Sequence, residues 1–124
     1  MGLLESLGFG GNKKKDKRTD LDPPIKCLCA YRMPAGQEGE YTGLITNFSE
    51  NGILLGVSKG KIPAGAQVEV RFQLPHHPEG VSVHGTIASS YPERPQAWSY
   101  ADMEFKDKEE GGVRLLLAFI AGKL

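Results

Sequence analysis

The chain has two cysteines, one tryptophan and three histidines, and it carries no excess of charge of either sign. Each scarcity removes a class of function. Cys27 and Cys29 stand two apart on what reads as a strand, so they point the same way as neighbours, a poor geometry for a disulfide. They have no His or Cys partners at metal spacing, so no zinc site is expected, and they read as buried thiols of a cytoplasmic protein. Fifteen Lys+Arg balance fifteen Asp+Glu, which argues against a nucleic-acid binder. No apolar run approaches the length of a membrane span, so no integral membrane segment is expected. The N-terminus lacks the basic start and the longer apolar stretch of a signal peptide. The histidines do not cluster with Cys, Ser or carboxylates, and no Walker-type glycine loop is present, so no catalytic residue is expected and the chain does not read as an enzyme. His76-His77 lies between prolines without a third ligand and reads as an exposed loop pair. His84 reads as a strand-face residue.

What the chain does have is punctuation. Sixteen glycines and eight prolines in 124 residues suit short strands joined by turns better than long helices. With 40% hydrophobic and 24% charged residues, the composition is that of one globular domain rather than a disordered chain.

The segments follow in order. Residues 1–24 read as a flexible N-terminal segment, with an apolar cluster at Leu3, Leu4, Leu7 and Phe9. A basic run follows, Lys13-Lys-Lys-Asp-Lys-Arg18, with five cations and one anion. Asp20–Pro24 has the character of a linker with a turn. Residues 25–124 read as the folded domain. Ile25, Cys27, Cys29 and Tyr31 alternate on one face of a first strand ending at Arg32. Further strands are expected over 41–47, 52–58, 67–74, 81–91 and 97–105. Gly85 is a candidate bulge or bend. Val68, Val70, Phe72 and Leu74 face inward. Ala101, Met103 and Phe105 share one face of the last strand, with Trp98 and Tyr100 on the other. Val113, Leu116, Leu117 and Ile120 recur at helix spacing. The expected architecture is mainly β, a small six- to seven-stranded antiparallel barrel whose edges are closed, with a C-terminal helix capping it.

The stretch with most to say is Asn47-Phe48-Ser49-Glu50-Asn51-Gly52. Apolar strand-formers flank an Asn-Gly pair, which predicts a hairpin whose two central residues, Asn51 and Gly52, have φ > 0. Asn47 and Ser49 project from the same strand face, and Gly52 leaves the backbone open to close approach. Such a polar pair either closes the turn through side-chain to backbone bonds or holds a small polar ligand.

Asn47-x-Ser49-x-x-Gly52 resembles the D/N-x-S-x-x-G signature of the PilZ domain, the bacterial receptor module for cyclic di-GMP. The downstream order resembles that family too: an apolar strand, a Pro-Ala-Gly turn at 63–65, two more strands and a closing helix. The resemblance covers roughly residues 13–124 and implies a six-stranded barrel. The family carries an R-x-x-x-R element before its first strand. Lys14-Lys-Asp-Lys-Arg18 matches it with lysine in the first place, and a second register, Arg18 to Asp22, keeps the first arginine and loses the second. The resemblance implies that Arg18 and Lys14 take phosphate and guanine, that Asn47 and Ser49 bond a guanine edge, and that Gly52 lets the loop approach. It further implies cyclic di-GMP as ligand and a protein partner in motility, pilus or exopolysaccharide control. Lysine supplies charge but not arginine's planar fork, so a module that has lost the nucleotide and keeps only its protein contacts is the alternative.

Overall fold

A computed structural model of the chain describes residues 19–58, 60–92 and 98–122. Six strands and one helix follow one another: β1 (Thr19–Arg32), β2 (Glu38–Ser49), β3 (Gly52–Ser58), β4 (Gln67–Phe72), β5 (Val81–Pro92), β6 (Trp98–Phe105) and α1 (Gly111–Ile120). The strands close into an antiparallel barrel in the order β1-β2-β3-β6-β5-β4. Closure leaves no edge strand open to pairing with another chain.

Alternation builds the interior. Ile25, Cys27, Cys29 and Tyr31 of β1 are buried, as are Val68, Val70 and Phe72 of β4 and Ala101 and Met103 of β6. Leu74 is buried although β4 ends at Phe72. Rings fill the two ends of the β1–β2 ladder. Tyr31 stacks on Tyr41 with centroids 5.8 Å apart, and Phe48 tilts against Phe105 at 6.1 Å.

The boundaries differ from the sequence expectation at several places. β1 starts at Thr19, so Asp20–Pro24 belongs to the strand rather than to a linker. It pairs irregularly there, with the register shifting between Asp20 and Ile25. Two prolines that donate no hydrogen bond are tolerated because the ladder is already broken over that stretch. β2 starts at Glu38, three residues earlier than the expected Tyr41. Gly85 is not a bulge: it pairs in register with Val68 and Phe105, and the shift falls between Ile87 and Ser89. Gly85 is required for space, because a Cβ there would lie 2.1 Å from the Glu104 carbonyl oxygen.

The turn at Pro63-Ala-Gly65 is present, closed by Ala66 N–H donating to the Pro63 carbonyl at 3.2 Å. Gly65 has φ +90°, which glycine adopts without strain. Helix α1 lies on β5 and sends Val113 and Leu116 into the core. Its first turn sits so close that a Cβ on Gly112 would be 1.9 Å from the Ser82 carbonyl oxygen. Glu110, at the N-cap, does not cap the helix with its side chain. Its carboxylate instead accepts from the His84 backbone N–H at 3.0 Å and meets His84 Nδ1 at 2.6 Å. His84 is thus an exposed strand-face residue that ties the helix start to β5.

Cys27 and Cys29 are buried side by side with sulfurs 3.8 Å apart, and neither is in a disulfide. Their hydrogen bond, together with burial, pushes the Cys27 thiol well above its ordinary value. A thiol reacts through its thiolate. Native protein treated with a thiol reagent at neutral pH is therefore expected to take up no label, and denatured protein to take up two equivalents. Rapid labelling of the native chain would contradict this burial.

Candidate functional site

The site is built on the end of β2. In a regular strand starting with Ile45 inward, Asn47 and Ser49 would also point inward. They do not. Ile45 pairs with Leu55 and Asn47 with Leu54, so one extra residue, Thr46, enters β2 at that step. The bulge costs the alternation one place. Ile45 and Phe48, three apart, are both buried, while Thr46, Asn47 and Ser49 are half-buried on the outer side. The sequence did hold this signal, since apolar residues three apart inside a strand break period two. The structure thus places Asn47 and Ser49 on one face, as their spacing predicts, and the Thr46 bulge makes that face the outer one.

The turn differs from expectation. Ser49 pairs directly with Gly52, so the two loop residues are Glu50 and Asn51, not Asn51 and Gly52. Neither Asn51 nor Gly52 has a positive φ. A mirror-image turn serves to match the twist of its flanking strands. Here the bulge at Thr46 already adds right-handed twist, and an ordinary turn suffices. Ser49 supports it by accepting from the Asn51 N–H through Oγ at 3.2 Å. The Phe105 N–H then donates to the Asn51 carbonyl at 2.9 Å and ties the turn to β6. Gly52 is buried between Ser49 of β2 and Glu104 of β6.

Asn47 plays no part in closing the turn. Its Oδ1 accepts from Thr46 Oγ1 at 2.8 Å, and its Nδ2 donates to Oδ1 of Asp20, the residue opposite it in β1. The Thr46 hydroxyl also faces the Leu54 carbonyl, at 3.3 Å, so its one hydrogen goes mainly to the shorter contact. An ionised carboxylate only accepts, so the amide nitrogen of Asn47 must face Asp20. The amide is held in one orientation, with one N–H and one carbonyl lone pair beyond these two bonds. Thr46 and Asp20 are the site residues that sequence reading missed. Asp20 carries no local signal, because the pair is 27 residues apart and is created only by the β1–β2 register.

The surroundings are acidic. Asn47 faces Leu54, Leu54 faces Asp102, and Gly52 faces Glu104 across the ladders. Glu104 and Asp20 are exposed and Asp102 is half-buried. The expected cations, Lys14 and Arg18, lie outside the described residues; in the sequence the basic run ends one peptide bond before Thr19, which pairs with Phe48. A hollow of about 820 Å³ on the barrel, lined by Glu40, Glu69 and His84 among others, includes none of Asn47, Ser49 and Gly52. The motif residues form part of an outer sheet face. Among the described residues no three of His, Cys, Asp and Glu converge on a point that could hold a metal, and no helix is long and apolar enough to cross a membrane.

No curated protein sequence matches the chain. Its fold is similar to that of the inhibitor of motility MotI/DgrA from Bacillus subtilis, at TM-score 0.63 and 16% identity over 86% of this chain and 49% of that one. It is similar also to the PilZ domain of YcgR from Escherichia coli, solved with c-di-GMP, at TM-score 0.60 and 11% identity over 87% of this chain and 88% of that one. The K. pneumonia MrkH–c-di-GMP complex matches at TM-score 0.51 and 14% identity, over 87% of this chain and 52% of that one. The chain therefore spans about half the length of MotI/DgrA and of MrkH. At such identities the likeness speaks for the barrel alone. The family model of the PilZ domain, however, matches residues 12–122, nearly the whole length including the basic run and the Asn47 motif, and the chain belongs to the PilZ domain family.

Proposed function

We propose that the chain is a cyclic di-GMP receptor or adaptor, a binding module rather than an enzyme, which alters its surface on taking the nucleotide and so regulates a protein partner. The observation that carries this reading is the outward placement of Asn47 and Ser49 beside Thr19, the residue that follows the basic run. A ligand resting on an open sheet face is enclosed only on one side, and tight sites for small molecules enclose most of their ligand. The basic segment 13–18 supplies the second wall. Arg18 and Lys14 take phosphate and one guanine edge, Asn47 and Ser49 take another, and Gly52, packed between Ser49 and Glu104, adds no side chain to the face beside them. Engagement of that segment by the ligand is the change of surface that a partner reads. Two of the similar structures hold c-di-GMP and the third is an inhibitor of motility. The motility inhibitor among them supports a partner in motility control; pilus and exopolysaccharide control are the other settings that the family resemblance implies.

Lys14 favours a second reading, in which the module has lost the nucleotide and works through protein contacts alone. Calorimetric titration of the full chain with cyclic di-GMP decides between them. Saturable binding is expected, weakened about tenfold or more by Arg18→Ala and by Asn47→Ala. Absence of heat and of saturation at high ligand concentration would leave the second reading standing.

A further inference from the structure

Asp20 has a chemical capacity that its bond to Asn47 does not exhaust. It stands opposite Asn47 on β1, its side chain is exposed, and Asn47 Nδ2 donates to its Oδ1. A carboxylate offers two oxygens and about four lone-pair positions, and this bond occupies one of them. Guanine presents two unlike edges. One carries the acceptors O6 and N7, which suit an arginine fork. The other carries two parallel donors, ring N1–H and the exocyclic N2 amine. Two parallel donors are matched by two acceptors, and a carboxylate makes the stronger bonds because they are charge-assisted. Asn47 alone cannot supply that match: it has one carbonyl, and Thr46 already donates to it.

We infer that Asp20 is a specificity-determining residue of the nucleotide site: its carboxylate accepts from the N1–H and N2 amine edge of a guanine seated against Asn47. The Asp20–Asn47 pair, rather than Asn47 alone, then reads the base. This rests on the cyclic di-GMP reading and adds to it the residue that separates guanine from bases lacking that edge. Charge favours the arrangement. Glu104 and Asp102 lie on the same outer face, reached from Asn47 and Gly52 across β3 and β6. An anionic face attracts base donors and turns phosphates toward the basic run.

The test is titration of the full-length chain and of Asp20→Asn with cyclic di-GMP and with cyclic di-IMP, whose hypoxanthine lacks the exocyclic amine. Asp20→Asn keeps an oxygen to accept from Asn47 Nδ2, so the amide stays oriented, but it removes the charge and one acceptor. The wild-type chain is expected to prefer cyclic di-GMP by about tenfold or more, and the preference to fall toward unity in Asp20→Asn. Asp20→Ala is expected to lose the same preference and to weaken both ligands further. Because Asp20 is exposed, both variants should melt with the wild type, which checks that folding is intact. A ratio unchanged in Asp20→Asn, whether both affinities fall together or neither moves, would overturn the role of Asp20 and leave the receptor reading intact. Failure of the wild type to bind cyclic di-GMP would overturn both.

Discussion

Gly85→Ala is expected to destabilise the barrel by about 3 kcal/mol or more, while Gly80→Ala changes stability by less than about 0.5 kcal/mol. Both substitutions add one methyl group to a glycine near β5. At Gly80 the methyl meets nothing within 4 Å. At Gly85 it would lie 2.1 Å from the Glu104 carbonyl oxygen, 2.9 Å from that carbonyl carbon and 3.0 Å from Met103 Cε. A flexible side-chain tip can swing aside, but Glu104 O belongs to the backbone of β6 and cannot. Relief requires β6 to move by roughly 1 Å at the point where Gly85 pairs with Phe105. β6 also holds β3 through Gly52–Glu104, so the displacement propagates to the strand that carries the motif's glycine. Overpacking against soft neighbours costs about 1–3 kcal/mol, and a backbone obstacle belongs at or above the top of that range. A domain of this size holds about 5–15 kcal/mol in total, so a fraction of Gly85→Ala chains should be unfolded on mild heating. Urea unfolding monitored by the Trp98 fluorescence gives the comparison. Equal midpoints for Gly85→Ala and wild type would mean that β6 yields, and the close approach would not be structural.

The origin of Gly85's role shows where sequence reading reaches its limit. Glycine inside a strand signals either irregular backbone or close approach of another chain, and the residue string does not distinguish them. Here the neighbour is the backbone of β6, set by the pairing of β5 with β6. The same boundary runs through the candidate site. Alternation is a local property, so the inward faces of β1 and β4 were legible, as was the shared face of Asn47 and Ser49; that this face is the outer one depends on the Thr46 bulge. The barrel followed from counting such strands and closing their edges. Asn51-Gly52 reads as the turn centre because its local preference is strong, whereas the Thr46 bulge five residues before Asn51 supplies the twist that this preference exists to supply. Asp20 was misread as linker because Asp and Pro cluster around it. Its partner is Asn47, 27 residues on, and only the β1–β2 register discloses that. The helix was legible from its period, but not Glu110's bonds to His84, which again join residues 26 apart.

Lys14→Arg is expected to tighten cyclic di-GMP binding by about one to two decades, if residues 14–18 are the family's paired basic element. The gain comes from geometry and not from charge, since both residues are cations. A guanidinium offers parallel N–H donors in a planar fork that fits O6 and N7 of guanine, or two phosphate oxygens, at once. An ammonium on a flexible stem makes the same charge available without that fit, and the difference of one bidentate contact is about 1–3 kcal/mol. The competing register places the second cation at Asp22, which β1 holds at an exposed position two residues beyond Asp20. In that register Asp22→Arg supplies the missing fork and also removes an anion beside the ligand. The two substitutions therefore discriminate. Tightening by Lys14→Arg, with little change or weakening in Asp22→Arg, assigns the element to residues 14–18. The reverse pattern assigns it to residues 18–22, and then the arginine that holds the ligand sits directly before the strand that presents Asp20 to Asn47. If neither substitution tightens binding while Arg18→Ala abolishes it, Arg18 acts alone and the base is held chiefly by the acidic face of the barrel.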